Sequence, residues 1–546
     1  MKLLFALLLL AFLHEPTRAG LRLPNFFGDH MVLQAGKPVS LWGWAAAGDK
    51  VTVVFDGQEK ETVAGDGGTW LLQLDALRPS SKGSVLLVSD GSTTLTVKDV
   101  LVGEVWVCGG QSNMEWSLRG SREADLEIDS ADSPEIRFLR LPKIASDVPR
   151  DDFPLGNPKG SEGRWRRAIP EEVENCTAVG YYFARRLQRR LGVPIGLVDT
   201  SWGGTMAQHW VSLETLRPIA EMKTYFEQFE QAVMQWEEGG GEQGARERMA
   251  SDMAAWEKTR KEAEARGERG PGRPNPSNYT DPRTKRQPAG MYHGVLLPIA
   301  RATVRGALFY QGENNSFGES WKPFPRTYPA VIGDWRKAFG NPDLPIGLIQ
   351  IAGWSNRRSM TYDMNHHTNI IREVQHRTWE AHDRTGLIVT FDTNSNGSIH
   401  PGRKQPVGER TARWALAEVY GVKGRGSQKA LEWRGPVFKE AVVTGTKITV
   451  SFRDGTARGL RLDKDVEVGF YVAGEDREFH HARARVNKET VEVWSEAVAS
   501  PVAVRYGWSN LPVGGLMNAR ELPAYPFRSD SWPLVPHQSK GEYVVD

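Results

Sequence analysis

Two residues of types that can perform acyl transfer each follow an apolar, strand-like run. Ser112 comes after VGEVWVCGG and one glutamine, and His400 lies in a polar loop after GLIVTFD. A serine on a tight turn at the start of a helix lies near backbone N–H groups that favour a developing negative charge, and an imidazole can take its proton. Serine is also a frequent helix cap, and a lone histidine is usually structural. Taken singly, each residue leaves both interpretations open.

Two more strand ends offer groups for the same reaction. VPIGLVDT runs into Ser201-Trp202-Gly203-Gly204, where glycines allow the backbone to approach a ligand and an N–H to serve an oxyanion, although a plain tight turn is the alternative. GALFY is followed by the polar cluster Gln311-Gly312-Glu313-Asn314-Asn315, an unusual way to leave a buried strand. Together the four strand ends predict a nucleophile, a base, an amide and N–H donors at one site.

The elements that would position these groups alternate along the chain. Five near-continuous apolar runs read as buried strands: DVLVGEVWVCGG, VPIGLVDTSWGG, VRGALFYQGE, LPIGLIQIAG and GLIVTFDTN. Segments with helical periodicity lie between them, including VGYYFARRLQRRLG, which ends at Gly192. This alternation predicts a doubly wound α/β domain with a parallel sheet, whose ligands bind at the carboxyl ends of the strands.

Other segments depart from that alternation. Short β-rich runs before residue 100 and after residue 426 predict two all-β, sandwich-like modules. Residues 213–287 predict a charged helical hairpin inserted into the α/β domain, either a solvated pair of helices or a lid or partner-binding element. We therefore expect a signal peptide (1–19), an N-terminal β domain (20–99), an α/β domain in two parts (100–212 and 288–425) around the insertion (213–287), a C-terminal β module (426–535) and a tail (536–546).

Composition limits the function classes. The 546 residues carry 69 basic and 67 acidic side chains, a net charge of +2 that favours no nucleic-acid partner. Residues 1–19 contain Lys2, a short apolar run and small residues before Gly20, a pattern that predicts a signal peptide and hence a secreted or periplasmic protein. No later apolar run is long enough to span a membrane. Two cysteines, Cys108 and Cys176, are too few for a disulfide scaffold or zinc site, although one bridge between them is possible. We expect no metal and no cofactor, and the oligomeric state stays open.

The motifs resemble the sialate O-acetylesterase family, a branch of the SGNH hydrolases. VGEVWVCGGQSNMEW is similar to its nucleophile block, PIGLVDTSWGGTMAQHW to its glycine block, YQGENN to its asparagine block and SIHPGRKQPVGER to its histidine block. The likeness covers nearly all of the chain after residue 19. It implies an SGNH-type three-layer α/β/α domain, hydrolysis of acetyl esters on sugars without a cofactor, and an acetylated carbohydrate, foremost a sialic acid, as substrate.

The resemblance also implies roles. Ser112 would be the nucleophile, and its N–H, that of Gly204 and the side-chain amide of Asn315 would form the oxyanion hole. His400 would be the base. Three further residues would bind substrate or orient the base: Gln111, Gln311 and Glu313.

One position departs from the family pattern. Family members commonly have an aspartate shortly before the histidine, where this chain has Gly397 and Ser398. Asp392 is the nearest upstream acid and could orient His400 if the loop folds back; a Ser–His dyad is the other option. A polysaccharide esterase acting on acetylated xylan, a non-catalytic carbohydrate-binding homologue and a lipid esterase are the competing functions. The retained serine and histidine argue against the binder, and the charged insertion argues against a lipid esterase.

Overall fold

The computed structural model describes residues 20–156, 162–354, 367–395, 398–424, 429–463 and 468–532. The predicted signal peptide and the predicted tail lie outside these residues. The described chain is a mixed α/β protein with a central mixed sheet and additional β-sheet modules at both ends.

The N-terminal module is built from short strands with turns between them. In β5 every second residue is buried, the period of a strand with one face in the core. β2 pairs with β5, whereas β3, β4 and β6 join the sheet that also contains β1 and β7. The strands are β1 (Val32–Gln34), β2 (Val39–Trp44), β3 (Lys50–Phe55), β4 (Gln58–Val63), β5 (Thr69–Leu74), β6 (Ser80–Ser89) and β7 (Thr94–Gly110).

Strand β7 continues into the centre of the α/β domain. Across that domain the strand order is β13-β12-β11-β7-β10-β8-β9, with every neighbouring pair parallel except β8 and β9. The predicted boundary between residues 99 and 100 therefore falls inside one continuous strand. The sheet's further strands are β8 (Ser133–Arg140), β9 (Trp165–Ala168), β10 (Ile195–Asp199), β11 (Gly306–Tyr310), β12 (Ile346–Ile349) and β13 (Thr385–Ile388).

Helices cover both faces of this sheet. Trp106 of β7 packs on Phe183 of α3 and Trp414 of α10, with ring centroids 5.0 Å and 6.1 Å apart. On the other face, Trp335 of α8 lies so close to Gly109 that a Cβ there would meet its ring at 2.4 Å. The helices are α1 (Ser112–Glu115), α2 (Ala124–Asp129), α3 (Ala178–Leu191), α4 (Leu213–Leu216), α5 (Lys223–Glu238), α6 (Gly241–Ala265), α7 (Pro282–Lys285), α8 (Phe324–Ala338), α9 (Thr368–Ala381) and α10 (Gln405–Trp414).

The insertion is a helical hairpin formed by α5 and α6. No residue of α5 is buried, and α6 buries only Ala245 and Ala263, so the pair projects from the α/β domain. Within the described ranges, no helix combines the length and apolar character needed to cross a membrane. Cys108 and Cys176 are both buried free thiols rather than a bridge.

The C-terminal module contains two four-stranded sheets and one short strand pair. The first sheet has the order β14-β15-β20-β19, and the second β18-β17-β21-β23. The strands are β14 (Phe438–Thr444), β15 (Lys447–Phe452), β16 (Arg461–Leu462), β17 (Phe470–Ala473), β18 (Phe479–His481), β19 (Arg483–Asn487), β20 (Thr490–Trp494), β21 (Ala503–Tyr506), β22 (Leu516–Met517) and β23 (Phe527–Arg528).

Candidate active site

Ser112 sits on a turn that the neighbouring strand holds in place. Gly110 ends β7 with φ +119°, and a Cβ there would lie 2.1 Å from the carbonyl oxygen of Tyr310, so only glycine fits. The next residue, Gln111, donates its backbone N–H to that same carbonyl at 2.9 Å. Ser112 then begins α1. The nucleophile candidate is thus fixed between β7 and β11, at the carboxyl edge of the sheet.

His400 reaches Ser112 directly. Its Nε2 lies 2.7 Å from Ser112 Oγ, although 288 residues separate the two in sequence. Burial, and secondarily the nearby Lys404 ammonium, lower the pKa of His400, while Glu115 opposes the shift. A neutral imidazole that carries its proton on Nδ1 can accept the Ser112 hydroxyl proton at Nε2. The pair has the geometry of a nucleophile and its base.

Asp392 is not the partner of His400 in this structure. Both of its carboxylate oxygens accept hydrogen bonds from the Arg410 guanidinium, at 2.7 and 2.6 Å. Across the part of the chain that the structure describes, no carboxylate forms a hydrogen bond with His400 Nδ1. The imidazole instead stacks on Trp116, with ring centroids 5.2 Å apart and planes 24° apart. Asp392 therefore pairs with Arg410 of α10, whose guanidinium offers the carboxylate two hydrogen bonds, and not with the imidazole.

The glycine turn after β10 also packs against the nucleophile. Trp202 donates its backbone N–H to the Gly110 carbonyl at 2.9 Å, and this hydrogen bond connects the turn to the end of β7. A Cβ at Gly203 would lie 3.1 Å from Ser112 Cβ. Gly204 follows with φ +83°, a conformation that favours glycine. The structure therefore brings the predicted Gly204 to the same site as Ser112.

Of the two consecutive asparagines, the structure places Asn314 and not Asn315 beside the cleft. Asn315 is fully buried, and its amide donates to Gln208 Oε1 and the Ser320 carbonyl, both at 3.2 Å. Asn314 is partly exposed and donates its Nδ2 to the Gly204 carbonyl at 2.7 Å. Both residues lie in one 3₁₀ turn, where successive side chains point about a third of a turn apart. The geometry therefore favours Asn314 over the predicted Asn315 as an oxyanion-hole donor, a role that stays a prediction for either residue.

Gln111 and Gln311 are buried hydrogen-bonding residues that stabilise the strand ends around the site and do not line the cleft. Both are buried, and Gln311 Nε2 donates to Gln111 Oε1 at 2.7 Å and to the Thr205 carbonyl at 3.0 Å. The backbone N–H of Asn314 also donates to Gln111 Oε1, at 3.2 Å. These bonds join the ends of β7, β10 and β11. The predicted contact of both glutamines with substrate is therefore not what this geometry provides.

Glu313 is buried below the nucleophile, together with two residues that the sequence did not single out. Its Oε1 accepts from Asn113 Nδ2 at 2.5 Å, and burial raises its pKa to about 7. Asn113 Oδ1 accepts from the buried Lys404 ammonium, whose pKa burial lowers to about 7. Glu313 thus contacts the nucleophile's neighbour and not the cleft. Only their positions in the chain could have indicated these two residues, because Asn113 comes directly after Ser112 and Lys404 comes four residues after His400.

A cavity of about 600 Å³ opens beside Gly204 and Asn314. Its opposite wall belongs to the insertion and includes Phe229 of α5 and Lys285 of α7. The Lys285 ammonium lies 3.7 Å from the position a Cβ would take on Gly204. Among the described residues Lys285 has no ion-pair partner. The insertion therefore forms one wall of a cavity that Gly204 and Asn314 also line.

Known proteins are similar to this chain in sequence, and one of them also in fold. The chain is 30% identical to a carbohydrate acetylesterase from Xanthomonas citri of known structure, with 94% of this chain and all of the other covered at a TM-score of 0.74. Sialate O-acetylesterase of Mus musculus is 26% identical over 95% of this chain and 96% of its own, and that of Homo sapiens 24% identical over 90% and 88%. No protein-family model matches.

The class of protein follows from these relatives together with the paired serine and histidine. The chain is an esterase. It belongs to the sialate O-acetylesterase family.

Proposed function

We propose that the protein is a secreted carbohydrate O-acetylesterase that uses Ser112 and His400. The observation that carries this proposal is the 2.7 Å hydrogen bond between Ser112 Oγ and His400 Nε2. A cavity of about 600 Å³, lined by Gly204 and Asn314, lies on the far side of the glycine turn that packs on Ser112. The names of the relatives, carbohydrate acetylesterase and sialate O-acetylesterase, support the same chemistry. The hydrolase domain would be of the SGNH type, with its serine, glycine, asparagine and histidine blocks at adjoining strand ends.

The reaction would proceed through an acetyl-enzyme. Ser112 Oγ attacks the acetyl carbonyl carbon while His400 Nε2 takes the hydroxyl proton. The N–H groups of Ser112 and Gly204 and the Asn314 amide stabilise the tetrahedral oxyanion. His400 gives its proton to the sugar oxygen, which leaves as an alcohol. Water, deprotonated by His400, then attacks the acetyl carbonyl carbon, and His400 returns that proton to Ser112 Oγ as the bond to the acetyl group breaks, which releases acetic acid and free Ser112.

Sialic acid is the substrate that we propose. Its carboxylate would meet the Lys285 ammonium, which lies in the cavity without an ion-pair partner among the described residues. A charged partner of this kind discriminates between acidic and neutral sugars. Acetylated xylan, which is neutral at its acetylated units, is the alternative.

Hydrolysis of p-nitrophenyl acetate tests the catalytic pair. Ser112→Ala and His400→Gln should reduce the rate to background, whereas Ser251→Ala, at an exposed serine of α6, should leave it unchanged. Wild-type hydrolysis at background level would instead indicate a carbohydrate-binding homologue. Equal activity of wild type and Ser112→Ala would contradict the role of Ser112.

Acetate release from 9-O-acetyl sialic acid and from acetylated xylan tests the substrate. Lys285→Gln should raise KM for the sialic acid several-fold and leave p-nitrophenyl acetate hydrolysis unchanged. Lys258→Gln, at an exposed lysine of α6, is the matched control. Preference for xylan, with no effect of Lys285→Gln, would overturn the sialic acid proposal but not the esterase one. Export is tested separately, by sequencing the N-terminus of the exported protein, which should begin at Gly20.

A further inference from the structure

Asn113 is the centre of a buried network directly below the nucleophile. It is fully buried, and its Nδ2 donates both to Glu313 Oε1, at 2.5 Å, and to the carbonyl of Ile399, at 3.1 Å. Its Oδ1 accepts from the Lys404 ammonium. One side chain therefore connects the nucleophile turn, the polar loop after β11 and the loop that carries His400.

Two hydrogen bonds between the same pair of segments run side by side. Ser112 bonds to His400, and the next residue of one segment, Asn113, bonds to the preceding residue of the other, Ile399. The second bond fixes the backbone of the histidine loop at a set distance from the nucleophile turn. Because a misplacement of about 1 Å can lower a rate about a hundredfold, this bond has a direct bearing on catalysis.

When Lys404 is protonated and Glu313 is ionised, their charges fix the orientation of the Asn113 amide. Since burial brings the pKa of each to about 7, this charge state is one of those present near neutral pH. An ammonium can only donate hydrogen bonds and an ionised carboxylate can only accept them. The amide oxygen must therefore face Lys404, and the amide nitrogen must face Glu313 and the Ile399 carbonyl. Without the Lys404 ammonium the amide oxygen loses the donor that holds it, and the side chain that bonds the Ile399 carbonyl is less firmly fixed.

Stability is a weak reason to keep such a pair of buried charges. Replacing buried ion pairs with apolar residues is often neutral or stabilising, because desolvation opposes the Coulomb attraction. Lys404 does lie near two aromatic rings, with its Nζ 5.7 Å from the centroids of both Trp116 and Tyr310, which offsets part of that desolvation. The location of the pair, one residue from the nucleophile, points to a role in the reaction.

We propose that Lys404 and Asn113 are positioning residues that orient the histidine loop, a task that the acid performs in serine triads. The inference rests on the proposed function of Ser112 and His400. It assigns no proton transfer to either residue, since neither contacts the reacting atoms. The charged groups that face His400 are Lys404, which disfavours the imidazolium, and Glu115, which favours it.

Lys404→Met tests the proposal, with Arg403→Met as the matched control on the exposed side of the same loop. The turnover number for p-nitrophenyl acetate should fall about a hundredfold, with KM within about twofold of the wild type and the melting temperature lowered, because Glu313 and Asn113 Oδ1 lose a buried partner. Removing the positive charge raises the pKa of His400, so the acid limb of the kcat/KM profile should move to higher pH. Arg403→Met should change none of these quantities.

Retention of kcat within about threefold by folded Lys404→Met would overturn the proposal, as would an unmoved acid limb. If Lys404→Met does not fold, Asn113→Asp decides. That near-isosteric change keeps an oxygen acceptor for Lys404 but removes the N–H that bonds the Ile399 carbonyl. We then expect the same fall in kcat, about a hundredfold. An unchanged kcat refutes the inference. If Ser112→Ala is inactive while Lys404→Met and Asn113→Asp stay active, this inference is refuted and the proposed function stands. An active Ser112→Ala would remove the proposed function itself.

Discussion

Asp392→Asn is predicted to leave the turnover number for p-nitrophenyl acetate within about threefold of the wild type, since no hydrogen bond connects this carboxylate to His400. Both of its oxygens bind Arg410, and the two side chains are 28% and 16% exposed. Loss of one charge from such a partly exposed pair lowers the free energy of unfolding by about 1 kcal/mol. A triad acid would behave differently, because its loss lowers kcat about ten-thousandfold, which corresponds to roughly 5 kcal/mol of activation free energy.

The assay measures p-nitrophenol release under saturating substrate, at a pH well above the acid limb, together with the melting temperature of each variant. Arg410→Gln removes the other half of the pair and should give the same small effects. A thousandfold fall in kcat for Asp392→Asn alone, at an unchanged melting temperature, would refute the reasoning. In that case Asp392 would serve His400 during turnover despite its contact with Arg410.

Three further outcomes are expected. Because only the neutral imidazole accepts a proton, and burial lowers the pKa of His400 from 6.5, kcat/KM should fall with decreasing pH through a midpoint below 6.5; a midpoint above 6.5 contradicts this. Asn314→Ala should lower kcat about a hundredfold or more, whereas Asn315→Ala should mainly lower the melting temperature; the reverse result would return the oxyanion role to Asn315. Gly110→Ala should abolish soluble expression, because its Cβ would lie 2.1 Å from the Tyr310 carbonyl at φ +119°; a soluble, active variant would contradict this description of the turn.

Much of the α/β domain could be predicted from local patterns. The apolar runs ending in glycine became β7, β10 and β11, because strands buried on both faces need apolar residues throughout. Gly192, expected to end a helix, is its left-handed cap at φ +68°. The sequence did not predict β8, SPEIRFLR, because its charged residues mask the apolar pattern even though Arg137 is buried.

The site was predictable only as a set of strand ends. Ser112, Gly204 and His400 come together as expected, since parallel strands present their carboxyl ends at one edge. Which of Asn314 and Asn315 faces the cleft depends on the rotation of a single 3₁₀ turn, and residue type carries no information about that. Asp392 failed as a partner for a similar reason, because its hydrogen bonds depend on a loop conformation and on Arg410, 18 residues away.

The length of β7 has a consequence for how the protein can be taken apart. Residues Thr94–Gly110 pair with β6 and β1 at one end and with β10 and β11 at the other. The N-terminal module is therefore not a tethered appendage that could be excised by a protease or moved to another enzyme. A cut anywhere along this strand would sever the support of Ser112. The module and the α/β domain are therefore one cooperative unit. We expect both to unfold in a single melting transition, so a destabilising mutation in either should lower the stability of both.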